Sequence, residues 1–135
     1  MESLRTLQIA TNKTQHEIII SLAQEVMNAL GIGLSECIYQ RALCQILRTH
    51  GYIVESEVVI NVFFNNEAVG FIRADIIVDK TLCLELKTKA ALTTSDKIQA
   101  ATYLNHSKDL EACILINFPS SNGSVKAEVV KRESL

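Results

Sequence analysis

The hydrophobic period of this chain first changes at Gly51, and that change limits the folds open to it. Before Gly51 the apolar residues Ile18, Ile19, Leu22, Val26, Ala29 and Leu30 recur at helical spacing, and Thr14 with Glu17 has the pattern of a capping box. Gly31 stops this helix, and Gly31-Ile32-Gly33 leads to Ser35, a cap for a second helix running to about His50. After Gly51 come β-branched and aromatic runs, Val54 to Phe64, Gly70 to Val78 and Leu82 to Thr88, parted by Asn65-Asn66 and by Asp79-Lys80. These predict three consecutive antiparallel strands. A third helix fits Ser95 to His106, capped by Thr94 or Ser95, and two more strands fit Ala112 to Phe118 and Val125 to Lys131. The order α-α-β-β-β-α-β-β shows no repeat and no linker, so residues 1–135 read as a single mixed α/β domain.

With 48% hydrophobic residues, one proline and five glycines, the composition is globular and excludes a disordered or fibrous chain. No apolar run approaches the ~18 residues of a membrane helix, and the greasiest stretch, Val58 to Phe64, is broken by Asn61. The first residues lack a basic start followed by an apolar block, so the expectation is a soluble protein of the cytoplasm or another reducing compartment. A net charge of -2 excludes the global positive field that many duplex-binding proteins use, leaving any nucleic-acid contact to a local patch. Arg73, Lys87, Lys89 and Lys97 are candidates for it. Cys37, Cys44, Cys83 and Cys113 form no CxxC pair, so they read as reduced, mostly buried thiols, not zinc ligands. His16, His50 and His106 have no metal-like spacing and read as surface or helix-end residues.

The informative segment runs from Arg73 to Lys89. Leu82, Leu84 and Leu86 alternate with Cys83, Glu85 and Lys87, and Ala74, Ile76 and Val78 alternate with Arg73, Asp75 and Ile77. A two-residue loop would set Asp75 against Leu84 and mix the faces, whereas a three-residue loop, Asp79 to Thr81, keeps the apolar face intact and sets Asp75 against Glu85. Two acids about 5 Å apart repel unless something positive lies between them. A divalent cation reverses the sign of that interaction, and all-oxygen ligation favours Mg2+ or Mn2+ over zinc. A solvated ladder of Arg73, Asp75, Glu85 and Lys87 is the other reading of the hairpin. Glu36 weighs against the ladder, because it heads the stripe Tyr39, Leu43, Ile46, Leu47 and His50 and so brings a third carboxylate to a core-facing surface.

These residues resemble a known group. GLSECIY, with Gly33, Glu36 and Tyr39, is similar to the GxxExxY signature of a small group within the PD-(D/E)xK nuclease superfamily, and Asp75 with Glu85-Leu86-Lys87 resembles that superfamily's metal-binding core. QAATY, Gln99 to Tyr103, resembles the QxxxY element of its exonuclease-like branches, and INF, Ile116 to Phe118, resembles the family's strand ending. The resemblance covers about Val26 to Lys131. Met27 and Ile32 stand where the group usually has histidine and proline, and Ala74 stands for the nominal proline before the first strand acid.

The resemblance implies a restriction-endonuclease-like sandwich, a mixed central sheet flanked by helices, with Glu36, Asp75 and Glu85 converging at one end. It implies that Asp75, Glu85 and the Leu86 carbonyl bind Mg2+ or Mn2+, with Glu36 serving a second ion or its water. It assigns Lys87 to the nucleophile or the phosphoryl oxygens, and Gln99 and Tyr103 to orienting Lys87 or a phosphate. The implied activity is metal-dependent hydrolysis of phosphodiester bonds in DNA or RNA. The alternative is a catalytically silent nuclease-fold protein that serves as a nucleic-acid-binding or assembly subunit. A chain this small offers limited surface for a duplex, so a homodimer or a larger partner is expected.

Overall fold

The computed structural model describes residues 13–132. Its elements follow the expected order: α1 (Gln15–Leu30), α2 (Glu36–Thr49), β1 (Val54–Phe64), β2 (Glu67–Val78), β3 (Leu82–Lys87), α3 (Thr94–His106), β4 (Ala112–Asn117) and β5 (Lys126–Lys131). The Thr14 hydroxyl caps α1 by accepting the Glu17 N–H, and Gly31, at φ 81°, ends it in a conformation that favours glycine. The cap of α3 is Thr93, one residue earlier than expected. Asp96 closes a reciprocal capping box with it, and only the structure distinguishes Thr93 from the two hydroxyl residues that follow.

The five strands form one mixed sheet in the order β1-β2-β3-β4-β5, antiparallel except for the parallel pair β3 and β4, which α3 connects. The β1–β2 hairpin turns on Asn65 and Asn66, both at positive φ, so the strands pair directly up to Phe64 and Glu67 and β2 starts before the expected Gly70. Asp79 to Thr81 form the three-residue loop between β2 and β3, giving the register Val78 to Leu82 and Ile76 to Leu84 that the leucine face demanded.

Helices α1 and α2 cover one face of the sheet, packing on Ile76, Val78, Leu84, Leu86, Ile114 and Ile116. Helix α3 covers the other, on Ile60, Ala74, Ile77, Cys83, Cys113 and Leu115. All six residues of β4 are buried, as a strand covered on both faces requires. Cys44, Cys83 and Cys113 are buried free thiols and Cys37 is exposed. Among the described residues no helix is long and apolar enough to cross a membrane.

One expectation about β2 fails. Ala74 was placed on the face of Ile76 and Val78, but it packs in the α3-side core with Ile72, while Ile76 and Val78 lie under α1 and α2. The alternation reverses at Asp75. Opposite it, Glu57 adopts φ 52°, and the β1–β2 ladder lacks a bridge between the pairs Ser56–Ile76 and Val58–Ala74. The kink turns both strands over together, so Arg73 does not share a face with Asp75 and Ile77 and lies instead 5.8 Å over the Phe71 ring.

Candidate active site

The reversal puts Asp75 at a point where the sheet opens on both sides. Towards β3 the regular ladder spans Ile76 to Val78 and stops before Asp75 and Glu85. The Leu86 N–H donates instead to the Asp75 carboxylate at 2.8 Å, and the Gln40 amide donates to the Asp75 carbonyl oxygen at 3.1 Å. Gln40 also reaches the Glu57 carboxylate at 3.4 Å, so this buried amide of α2 spans the break in the ladder.

Glu85 projects into the same opening and is only 4% exposed. Its Oε2 lies 3.6 Å from the Lys87 ammonium, while Oε1 is the one buried side-chain oxygen or nitrogen among the described residues with no hydrogen-bond partner. Burial and then the charge of Asp75 push the Glu85 carboxyl up to about 8. Asp75 is raised too, by burial first, against the opposing pull of the Leu86 N–H. A buried carboxyl pair that holds on to a proton, with one oxygen lacking a hydrogen bond, is an environment in which a hard divalent cation stabilises the ionised form.

Glu36 is the first residue of α2, and a folded detail of the preceding loop sets its position. The Tyr39 hydroxyl donates to the Gly31 carbonyl at 2.6 Å and accepts the Leu34 N–H at 3.3 Å, while its ring stacks on Phe118 with centroids 4.4 Å apart. Gly33, at φ 94°, allows the chain to turn inside that clamp. Gly33 and Tyr39 therefore act as positioning residues for the helix start that carries Glu36. The Glu36 carboxyl is raised, first by partial burial and then by Asp75 and, further down, Glu57. Among the described residues no three His, Cys, Asp or Glu side chains stand close enough to enclose an ion. Asp75 and Glu85 are the close pair, and Glu36 and Glu57 act on it through their charge.

A polar chain runs from Lys87 into α3. The Lys87 ammonium donates to Gln99 Oε1 at 2.7 Å, the Gln99 amide donates to the Tyr103 hydroxyl at 3.2 Å, and that hydroxyl donates to the Arg73 carbonyl at 2.9 Å. Burial, then the nearby Glu85 charge, raises Tyr103, which holds its proton and keeps the chain in this polarity. Gln99 and Tyr103 thus fix Lys87 from one side, as the four-residue spacing suggested.

Three polar residues escaped the reading of the sequence. Asp96 is buried and takes Lys89 at 3.0 Å while also reaching Lys87 at 4.0 Å. Asn117, 1% exposed, accepts the Lys89 N–H and donates to the Lys89 carbonyl, pinning the segment that leaves β3. Its signal was the INF triplet, in which Phe118 is the ring stacked on Tyr39. Gln40 gave no signal beyond lying next to Tyr39. The four basic side chains do not make one patch: Lys87 and Lys89 converge on Asp96, Lys97 pairs with Glu128 at 3.1 Å, and Arg73 lies on Phe71.

Comparison with known proteins gives a family and a fold. The family model described as the PD-(D/E)XK nuclease superfamily matches residues 13–132. The crystal structure of SSO0001 superposes with a TM-score of 0.54 at 20% identity, over 70% of this chain and 50% of its own, so the chain spans about half that protein. The alkaline exonuclease LHK-Exo from Laribacter hongkongensis is 14% identical over 82% of this chain and 76% of its own, with a TM-score of 0.37, too low to establish even a shared fold. No curated protein matches significantly.

Proposed function

Because the chain belongs to the PD-(D/E)XK nuclease superfamily, we propose that it is a metal-dependent nuclease that hydrolyses phosphodiester bonds of DNA or RNA. The observation that carries this reading is the bare Glu85 Oε1, buried beside Asp75 where both ladders of β2 are interrupted. Asp75, Glu85 and the Leu86 carbonyl would hold Mg2+ or Mn2+, since the donors are hard oxygens and the buried pair lacks a full complement of positive charge. Glu36 would serve a second ion or its water from the start of α2. A bound ion would supply Lewis-acid polarisation of the phosphate and a more acidic water.

The chain's own groups supply the rest. Lys87 is a compact cation held by Gln99 beside Glu85, placed to meet negative charge that develops on a phosphoryl oxygen. The hydrogen bonds through Gln99 and Tyr103 to the Arg73 carbonyl hold that ammonium between Glu85, at 3.6 Å, and Asp96, at 4.0 Å. Asn117 fixes the exit of β3, so Glu85 and Lys87 approach the substrate from a strand anchored at its open end. Presence of the whole acid and lysine set favours the enzyme over a silent nuclease-fold subunit.

The test is incubation of the purified chain with single-stranded and duplex DNA and RNA in Mg2+ or Mn2+. Cleavage is expected with at least one substrate and is lost in Asp75→Ala, Glu85→Ala and Lys87→Ala. Cleavage that survives all three substitutions belongs to a contaminant. No cleavage under any combination refutes the enzyme reading.

A further inference from the structure

The β1–β2 ribbon leaves an apolar surface uncovered. Beyond Ala74 the two strands run past β3 as a ribbon whose one face packs Ile60 and Ala74 against α3. Cross-strand partners point the same way, so the other face carries Val59, Asn61, Phe63, Ala68, Phe71 and Arg73. Val59, Phe63 and Phe71 are 52%, 61% and 58% exposed, and Phe64 and Val69 near the turn are 67% and 62%. Three of the chain's four phenylalanines therefore face water on one hairpin.

β1 is also an edge strand. Among the described residues nothing pairs with its outer side, and its run from Val58 to Phe64 has no charge and no proline, two of the devices that protect a sheet edge; the ladder shift at Val62 and Phe63 inserts its extra residue, Val69, on β2 and not on β1. We propose that this edge is the interface with a second copy of the chain, the two β1 strands pairing antiparallel about a two-fold axis through Asn61.

The register follows from the residues. Pairing about Asn61 sets Val59 against Phe63 of the second copy on one face, and Val58 against Phe64 on the other. The two Asn61 amides face each other on the axis, where each offers a donor and an acceptor. A shift of one residue turns each apolar face over against its partner's opposite face, and centring the pair on Glu57 sets that acid against its own copy. A cleft of about 320 Å3 on the α3 side of β1 mixes Val58, Ile60, Ile77 and Leu110 with the polar Glu55, Lys80, Ser107 and Asp109, and Phe64 of the second copy would lie next to it, against Val58. Pairing through this edge covers the peptide groups of Val58 to Phe64 and brings Val59, Phe63 and Phe64 into cross-strand contact, while Phe71 and Val69 lie one strand further in, on β2. Charge selects the same occupant: the ribbon face has one cation, Arg73, already seated on Phe71, which suits an uncharged partner better than a polyanion.

Light scattering after size exclusion, at tens of micromolar protein, should give twice the 15.0 kDa chain mass. Asn61→Lys should return the chain mass with an unchanged circular-dichroism melt. In a Cys37→Ser background, which removes the exposed thiol, Asn61→Cys should cross-link under mild oxidation while Glu67→Cys does not. The cross-link decides the matter should Asn61→Lys fail to fold. A wild-type monomer overturns the proposal, as does a dimer that neither Asn61 variant affects. A monomer with slowly exchanging amides from Val58 to Phe64 would mean the chain covers its own edge. A monomer whose affinity for single-stranded DNA or RNA falls in Phe63→Ala and Phe71→Ala would assign the face to base stacking. Either result equally overturns the pairing. None of these readouts depends on cleavage.

Discussion

Glu85→Gln should remove most of the pH dependence of stability in metal-free protein. The folded chain holds the Glu85 carboxyl up at about 8, against 4.5 for the free side chain. A group whose folded value is raised contributes stability that is complete below the unfolded value and is lost as pH rises through the folded one. The window therefore opens near pH 4.5 and closes just above pH 8. At about 1.4 kcal/mol per decade, ionisation of Glu85 costs the fold about 5 kcal/mol across it. That is a large share of the ~5–15 kcal/mol a domain has. Asp75 is shifted in the same direction, and the uncharged amide of the variant relieves it as well. Urea unfolding in EDTA from about pH 5 to about pH 9 measures this directly. Wild type should weaken steadily as pH rises, and Glu85→Gln should lose more than half of that slope and exceed wild type at the alkaline end. Adding Mn2+ should reverse the order at high pH, because an ion bound only by the folded state stabilises it in proportion to ln(1 + [ion]/Kd). Parallel wild-type and Glu85→Gln profiles would refute the buried-anion account.

Three more changes probe separate parts of the site. Lys87→Ala should lower the initial cleavage rate by roughly 100-fold or more at saturating Mg2+, the scale of a positioned charge or proton donor, with urea unfolding confirming a folded protein. Tyr39→Phe removes the hydroxyl that ties Gly31 to Leu34 and should cost about 1–2 kcal/mol in urea unfolding while leaving the ring on Phe118. Asn117→Ala deletes two hydrogen bonds to the Lys89 backbone and leaves those groups unpaired, so a loss of about 2–3 kcal/mol and a lower rate should appear together.

The sequence disclosed whatever a periodic apolar face dictates. The leucines of β3 admit one partner register, and that register alone brought Asp75 opposite Glu85 with the loop Asp79 to Thr81 between them. The limits of α1 were legible because Thr14 and Gly31 are end signals with a local mechanism, whereas three successive hydroxyl residues left the start of α3 ambiguous. The reversal at Asp75 was not legible. It depends on Glu57 holding a left-handed backbone that a glutamate rarely adopts, and no local preference announces that. Gln40, Asp96 and Asn117 were missed for a related reason: each satisfies backbone or ionic partners that a polar residue in a helix or strand pattern does not reveal.

The places where local rules fail coincide with the acids. A hairpin selected for stability alone would keep its ladder intact through Asp75, leave Glu57 in an ordinary extended conformation and avoid burying one carboxylate against another. Here the β1–β2 ladder lacks a bridge, the β2–β3 ladder stops short, a glutamate is strained and a carboxylate oxygen is bare, all in the immediate surroundings of Asp75. Each carries a cost of order 1–3 kcal/mol, and such costs persist where the surrounding structure holds them for a purpose other than folding. The surrounding structure does hold them: Gln40 bridges the gap on one side, the Leu86 N–H fastens Asp75 on the other, and Tyr39 with Phe118 fixes the helix start that brings Glu36 near. Local instability held in place by three separate supports is the pattern expected of a site preformed to receive positive charge, and it makes the acid pair, not the core, the part of this fold expected to respond most to pH.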